Sequence, residues 1–293
     1  MPTTAIMKPI ERNYMKKITM EEFRKELLST GAYLTSAQCK PKKRARPSWL
    51  STLVFSLKVA KVFPACALLQ PLGLLTVKRW SGICFGSIQC AESLGMNVIL
   101  EGWGQRQAYK GPVVYVANHI STFETIALPP IVLSYTPFNV VAKASLAHLP
   151  FLEKAAQRMG LVPIGRKNPK EDLINMIRIG KEKISEGRSF LIFPQGTRQE
   201  VFSRKKFSSI GAKLAEKAGC PVVPIAIDTR CQPPREKGMF KKIFHDFGPL
   251  DTSRDIRFSC GPVIKCEKAR DMHESSFNWL ADKLESWSIP VER

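Results

Sequence analysis

What this sequence lacks excludes a good deal. Its eight cysteines include no C-x-x-C pair, so a structural zinc site has no paired ligands to build on. The first thirty residues are polar and charged and supply no signal peptide, so the thiols are expected to be reduced and to serve mostly as core packing. There is no G-x-S-x-G, which leaves Ser87 and Ser208 without a nucleophile-elbow context. No internal repeat argues for a solenoid. Long uncharged apolar runs are also missing. The run between Lys61 and Lys78 is shorter than the about 20 residues a membrane span needs, and Pro64, Pro71 and Gly73 interrupt it. The run from Thr125 to Ala142 carries Pro129, Pro130 and Pro137. Neither reads as a span. Acidic residues are scarce: 25 Asp and Glu face 45 Lys and Arg, a net charge of +20. Such a balance calls for an anionic partner, whether nucleic acid, a membrane surface or a phosphorylated substrate.

What is present divides into three stretches. Residues 1–47 read as a basic, partly disordered extension. Within it, Thr19-x-x-Glu22 followed by Phe23, Leu27 and Leu28 predicts a short capped helix. The "CKPKKRARP" run reads as a solvated linker or as a stretch drawn to anionic lipid headgroups. Residues 48–95 read as an apolar helical hairpin. Lys58 and Lys61 share one helical face opposite Leu50, Leu53, Val54 and Leu57, and Trp49 and Trp80 sit at the ends. That pattern suits insertion into a membrane interface without crossing it; the alternative is a buried hairpin packed on the main domain. Residues 96–293 alternate short apolar runs with helical stretches. "NVILEG", "PVVYVAN", "FNVVAKA", "LVPIG", "SFLIFP", "PVVPIAI" and "DIRFSCG" read as strands, with helices at 170–186, 207–218 and 269–287. Together they predict an α/β fold, a mixed and mostly parallel sheet covered by helices.

One stretch carries chemistry. In "VYVANHISTFET" a buried-type strand runs into His119, and Glu124 follows five residues later. Reactive residues collect at strand ends in α/β sheets. Ser121-x-x-Glu124 also fits a capping box, which would reduce Glu124 to a helix cap and His119 to a turn residue. If the helix begins at Ser121, however, His119 lies in the turn before it, and its ring can fold back onto the Glu124 carboxylate. A carboxylate on one ring nitrogen stabilises the imidazolium and leaves the other nitrogen as a general base.

Four blocks in order resemble those of the glycerolipid acyltransferases, specifically the bacterial 1-acylglycerol-3-phosphate acyltransferases. They are "NHISTFE", "GLVPIGR" ending at Arg166, "FPQGTR" at 193–198, and "VVPIAI" at 222–227. "KASLAHLPFL" between the first two is similar to the family's Lys-x-x-Leu-x-x-x-Pro pattern, with Lys143 and Pro150. Two positions depart from the family: Glu124 stands where Asp is commoner, and Gln195 where Glu is commoner. The resemblance implies His119 and Glu124 as the catalytic pair. It also implies Lys143, Arg166, Gly196, Thr197 and Arg198 as substrate-binding residues, the arginines gripping a phosphomonoester and the small residues letting backbone amides approach. It further implies acyl transfer from acyl-CoA or acyl-carrier protein to the free hydroxyl of 1-acylglycerol-3-phosphate (lysophosphatidic acid), with no cofactor and no metal. The expected location is the cytoplasmic face of an anionic membrane, peripheral or monotopic.

Other readings stay open at this point. The acceptor could be glycerol-3-phosphate or another lysophospholipid. A lysyl- or ornithine-lipid acceptor would have less use for two phosphate-facing arginines. A basic nucleic-acid-binding protein would suit the charge, but no aromatic-interleaved basic face supports it. A catalytically dead lipid-binding homologue is opposed by the intact His119/Glu124 pair.

Overall fold

Alternating strands and helices form one eight-stranded sheet with helices on both faces. The computed structural model describes residues 17–40, 48–143, 153–164, 169–233 and 249–293. The sheet strands are β1 (Tyr33–Leu34), β2 (Val98–Glu101), β3 (Val114–Ala117), β4 (Phe138–Lys143), β5 (Leu161–Ile164), β6 (Ser189–Ile192), β8 (Val222–Asp228) and β9 (Ile256–Cys260). A separate two-stranded ribbon pairs β7 (Phe202–Ser203) with β10 (Val291–Glu292). The sheet order is β1-β2-β9-β8-β3-β6-β4-β5. Only β1 with β2 and β8 with β9 run antiparallel; the remaining neighbours are parallel. The sheet is therefore mixed and mostly parallel, and all seven strands expected from the sequence lie in it.

The central strands are buried on both faces, which is why they read as continuous apolar runs. Along β3 the side chains alternate between two cores. Tyr115 and Ala117 point into the core shared with α4 (Val77–Ser93) and α6 (Phe123–Val132). Val114 and Val116 point into the core closed by α9 (Ile210–Ala218) and α10 (Ala269–Ser286).

The segment before residue 48 is more than an appendage. α1 (Met20–Thr30) carries the expected capping box, with Thr19 and Glu22 bonding reciprocally. Its Phe23 and Leu27 are fully buried, and β1 adds an edge to the main sheet. Tyr33 Oη donates to Glu92 of α4, which also accepts from Thr35 Oγ1 at 3.0 Å. Gly31 ends α1 at φ +67°, and a Cβ there would come within 2.4 Å of the Gly104 nitrogen, so only glycine allows this docking. Residues 17–40 are thus folded onto the domain, because two large apolar side chains and a strand edge outweigh the local polarity. Residues 41–47, most of the basic run, lie outside the described residues.

The hairpin is formed by α2 (Ser48–Ala60), α3 (Val62–Leu69) and α4. Phe55, Val59, Val62 and Cys66 are buried at helical spacing, while Trp49, Leu53, Leu57, Leu68 and Leu72 are exposed. Two expectations need correcting. Trp80 is buried and stacks on Phe138 at 5.9 Å, so it is a core residue and not an interfacial anchor. Trp49–Leu69 also forms one helical stretch of 21 residues, long and apolar enough by composition to cross a membrane. The stretch runs through Lys58 and Lys61, which interrupt the uncharged run in the sequence but not the helical stretch. Pro64 does not break the stretch, because it sits in the first turn of α3, where a helix needs no donor from it.

Candidate active site

β8, β3 and β6 are adjacent and parallel, so their C-terminal ends share one edge of the sheet. Asn118 extends the β3–β8 pairing past its last residues. Its amide donates to the Ile227 carbonyl at 2.9 Å and accepts from the Ile227 N–H at 2.8 Å. The chain then turns sharply before α6, and His119 and Glu124 meet across that turn.

His119 Nδ1 lies 2.8 Å from Glu124 Oε1. The carboxylate is wholly buried, whereas the imidazole keeps 17% of its side-chain surface exposed. Glu124 Oε1 also accepts from the Ile120 N–H at 2.6 Å and the Ser121 N–H at 2.8 Å. Oε2 accepts from Ser121 Oγ at 2.6 Å and Thr229 Oγ1 at 2.5 Å. Burial pushes this carboxyl up, but the hydrogen bonds and charge from His119 and the hydroxyls of Ser121 and Thr229 outweigh it and hold it below its ordinary value. Glu124 is thereby kept ionised. α6 starts at Phe123, so Thr122 and not Ser121 takes the N-cap place, although Ser121 Oγ still accepts from the Phe123 N–H at 3.1 Å. The two readings of Glu124 coincide: it caps backbone donors and faces the histidine at once.

The loop after β6 wraps the same turn. The His119 N–H donates to Gln195 Oε1 at 3.4 Å, and the Gln199 N–H donates to the His119 carbonyl at 2.8 Å. Gln195 Nε2 in turn donates to the Val201 carbonyl at 3.3 Å. An amide can accept and donate in this way; a carboxylate could not make the second bond. Arg198 donates to Thr122 Oγ1 at 2.9 Å, which sets its guanidinium beside the histidine turn. Phe193 stacks on the His119 ring at 4.5 Å.

The remaining residues expected at the site divide. Thr197 and Arg198 stand on the loop that wraps His119. Gly196 also lies there, at φ +69°, but its N–H donates to the Phe193 carbonyl at 2.9 Å and closes the turn, so its amide already has a protein partner. Lys143 ends β4, two strands from β3 in the sheet, about 10 Å away at the usual strand spacing. Arg166 lies outside the described residues, as do residues 144–152 of the Lys-x-x-Leu-x-x-x-Pro stretch. Sequence reading missed Thr229 and Asn118. Both follow or extend strands that meet beside His119, a signal that depends on the strand order.

His119 lines an apolar cavity of about 350 Å³ whose other walls include Cys66, Trp80, Phe138, Leu191 and Phe193. It runs from the sheet edge that carries His119 to α3 and α4 of the hairpin. A larger cavity of about 740 Å³ adjoins Ile120. Its Arg230 is already held by Asp228 and by the Trp287 and Ser288 carbonyls, and its Arg254 by Asp251. Among the described residues, no cluster of His, Cys, Asp and Glu is grouped to hold a metal ion.

Residues 99–228 match the family model described as Acyltransferase. A 1-acyl-sn-glycerol-3-phosphate acyltransferase of Pseudomonas aeruginosa is 38% identical over 115 residues, 39% of this chain and 44% of that protein. A lyso-ornithine lipid O-acyltransferase of the same species is 32% identical over 141 residues, 48% of this chain and 50% of that protein. The chain thus spans about half the length of these curated relatives, or less. The crystal structure of the 1-acyl-sn-glycerophosphate acyltransferase of Thermotoga maritima is similar in fold, with a TM-score of 0.56 at 19% identity, covering 82% of this chain and 96% of that one. His119, Glu124, the 193–198 loop and the end of β8 all fall within or beside residues 99–228, the segment of this chain that is similar to the Acyltransferase family model.

Proposed function

We propose that the chain transfers a fatty acyl group from a thioester to the free hydroxyl of 1-acylglycerol-3-phosphate, making phosphatidic acid. The observation that carries this reading is a histidine whose Nδ1 is held by an ionised carboxylate while its ring lines an apolar cavity. Nδ1 is taken, so Nε2 accepts the proton. The acceptor hydroxyl loses its proton to Nε2 as its oxygen attacks the thioester carbonyl. The C–S bond then breaks, and the departing sulfur takes the proton back from the imidazolium. No acyl-enzyme is formed. The cavity takes an acyl chain, and residues 96–293 act as the catalytic domain.

Arg198 and Thr197 stand on the loop that wraps His119 and suit the acceptor's phosphate, with Lys143 at the end of β4 as a further cation; Arg166 joins them on the resemblance of its block alone. Arg198→Ala is expected to raise the acceptor KM roughly tenfold or more while moving kcat little, as befits one charge-assisted hydrogen-bonding group worth about 1.5–3 kcal/mol. Steady-state kinetics with varied acceptor reads this; an unchanged KM would place the phosphate elsewhere.

Acceptor identity is tested by offering the purified protein 1-acylglycerol-3-phosphate, glycerol-3-phosphate and lyso-ornithine lipid, each with acyl-CoA and with acyl-carrier protein. The expected order of kcat/KM puts 1-acylglycerol-3-phosphate first with at least one donor. Preference for the ornithine lipid would overturn the phosphate reading.

Residues 48–95 serve as the contact with an anionic membrane on its cytoplasmic face. The exposed apolar stripe Trp49, Leu53, Leu57, Leu68 and Leu72 lies close to Lys58 and Lys61 in the chain and enters the interface, which supports monotopic attachment. Detergent is expected to release the protein fully and high salt only in part, since apolar insertion is not screened. Leu53→Glu with Leu57→Glu is expected to abolish vesicle flotation. Protease protection placing residues on both sides of a bilayer would show instead that Trp49–Leu69 crosses it.

A further inference from the structure

We propose that Thr229, the residue following β8, is a positioning residue that fixes Glu124 against His119 through its hydroxyl. The inference rests on the reading of His119 as the base. Thr229 is fully buried, and its Oγ1 donates to Glu124 Oε2 at 2.5 Å. It also accepts from Ser121 Oγ at 2.9 Å whenever that hydroxyl does not donate to Glu124. Every other donor to the carboxylate comes from residues 119–121 of its own turn. Among the described residues, Thr229 is therefore the one donor to Glu124 from another element, and it bridges 105 residues of sequence.

Geometry gives this bond its importance. Oε1 is shared by His119 and the Ile120 and Ser121 N–H groups, and Oε2 also accepts from the Ser121 N–H and hydroxyl, so all of these contacts belong to the turn that carries Glu124 and can move with it. Anchoring Oε2 from β8 fixes the carboxylate plane and keeps Oε1 aimed at Nδ1. The bond also explains why the fourth block, an apolar strand with no reactive side chain of its own, belongs to the site: it delivers Thr229. The charged and titratable groups around Glu124 are His119 on its own turn, Arg198 through Thr122 from the β6–β7 loop, and Cys231 with the Asp228–Arg230 pair from the end of β8. Of the β8 groups, Arg230 is neutralised by Asp228, and burial pushes the Cys231 thiol far up, so none replaces the Thr229 donor.

Thr229→Val keeps the shape and removes the donor. Losing a donor makes the carboxylate more basic, so the His119–Glu124 pair binds its proton more tightly. The acid limb of the kcat pH profile is then expected to move to higher pH, and kcat at neutral pH to fall roughly tenfold, the effect of one charge-assisted hydrogen bond. Acceptor KM should stay within about twofold, since Thr229 faces the carboxylate and not the substrate loop. Thr229→Ser should restore both features; Thr229→Cys, a weak donor of similar size, serves if the valine variant does not fold. A second readout does not need turnover. Titration of the pair followed by NMR at the His119 imidazole, assigned by its loss in His119→Ala, should move in the same direction. An unmoved titration and acid limb in the valine or cysteine variant overturns the proposal, as does a loss of kcat that serine does not restore. If the titration moves but the wild-type protein transfers no acyl group, the Thr229 bond stands and the acyltransferase reading of the site falls.

Discussion

His119→Ala is expected to lower kcat/KM for acyl transfer by about 10²–10⁴, the usual worth of a positioned general base. The folded state should survive the change. The imidazole is partly exposed, and without it Glu124 still accepts from the Ile120 and Ser121 N–H groups and from the Ser121 and Thr229 hydroxyls. The buried carboxylate is therefore not orphaned. The chief losses are one charge-assisted bond and the stacking on Phe193, so the melting temperature should change by only a few degrees, at about 2–4 °C per kcal/mol. Thermal unfolding and steady-state kinetics on the same preparation check both halves. A folded variant with near-normal turnover would falsify the base assignment.

Glu124→Gln is expected to be nearly as damaging, and worse than Glu124→Asp. Both carboxylate oxygens are surrounded by donors. An amide presents an NH₂ to one of those sets, leaving donors facing a donor in a wholly buried site, at about 1–3 kcal/mol for each group left unsatisfied. It also removes the negative charge that stabilises the imidazolium during proton transfer, so a loss on the order of 10²–10⁴ in kcat is expected. Aspartate keeps the charge at a reach one methylene shorter and should retain a larger share of activity. If glutamine stays active and aspartate does not, the carboxylate acts as a backbone cap alone and the pair is not a catalytic unit.

The strands were legible because their signal is local. Buried parallel strands are short apolar runs ended by turn residues, and "PVVYVAN" and "SFLIFP" say so without any partner. The His119–Glu124 contact was legible for a related reason: the turn brings the two side chains together over five residues. What escaped the sequence depends on pairing across distance. β1 is two residues long and becomes a strand only because β2 offers an edge. Trp80 looks interfacial beside Lys78 and Arg79, yet its position in α4 turns it toward Phe138. Gln195 read as a departure from a pattern; its use of both amide ends appears only once the β6 loop wraps the histidine turn. Thr229 carries no local signal at all, since its importance follows from β8 lying next to β3.

The central claim is that this site uses His119 to move an acyl group from a thioester onto the hydroxyl of 1-acylglycerol-3-phosphate. Its most direct test is phosphatidic acid formation by the purified full chain on anionic vesicles, with a labelled acyl thioester and its His119→Ala variant run beside it. The account predicts label in phosphatidic acid with at least one thioester class, abolished or nearly so in the variant. Label in phosphatidic acid at equal rates from both proteins, or none from the wild type with either acyl-CoA or acyl-carrier protein, would contradict it.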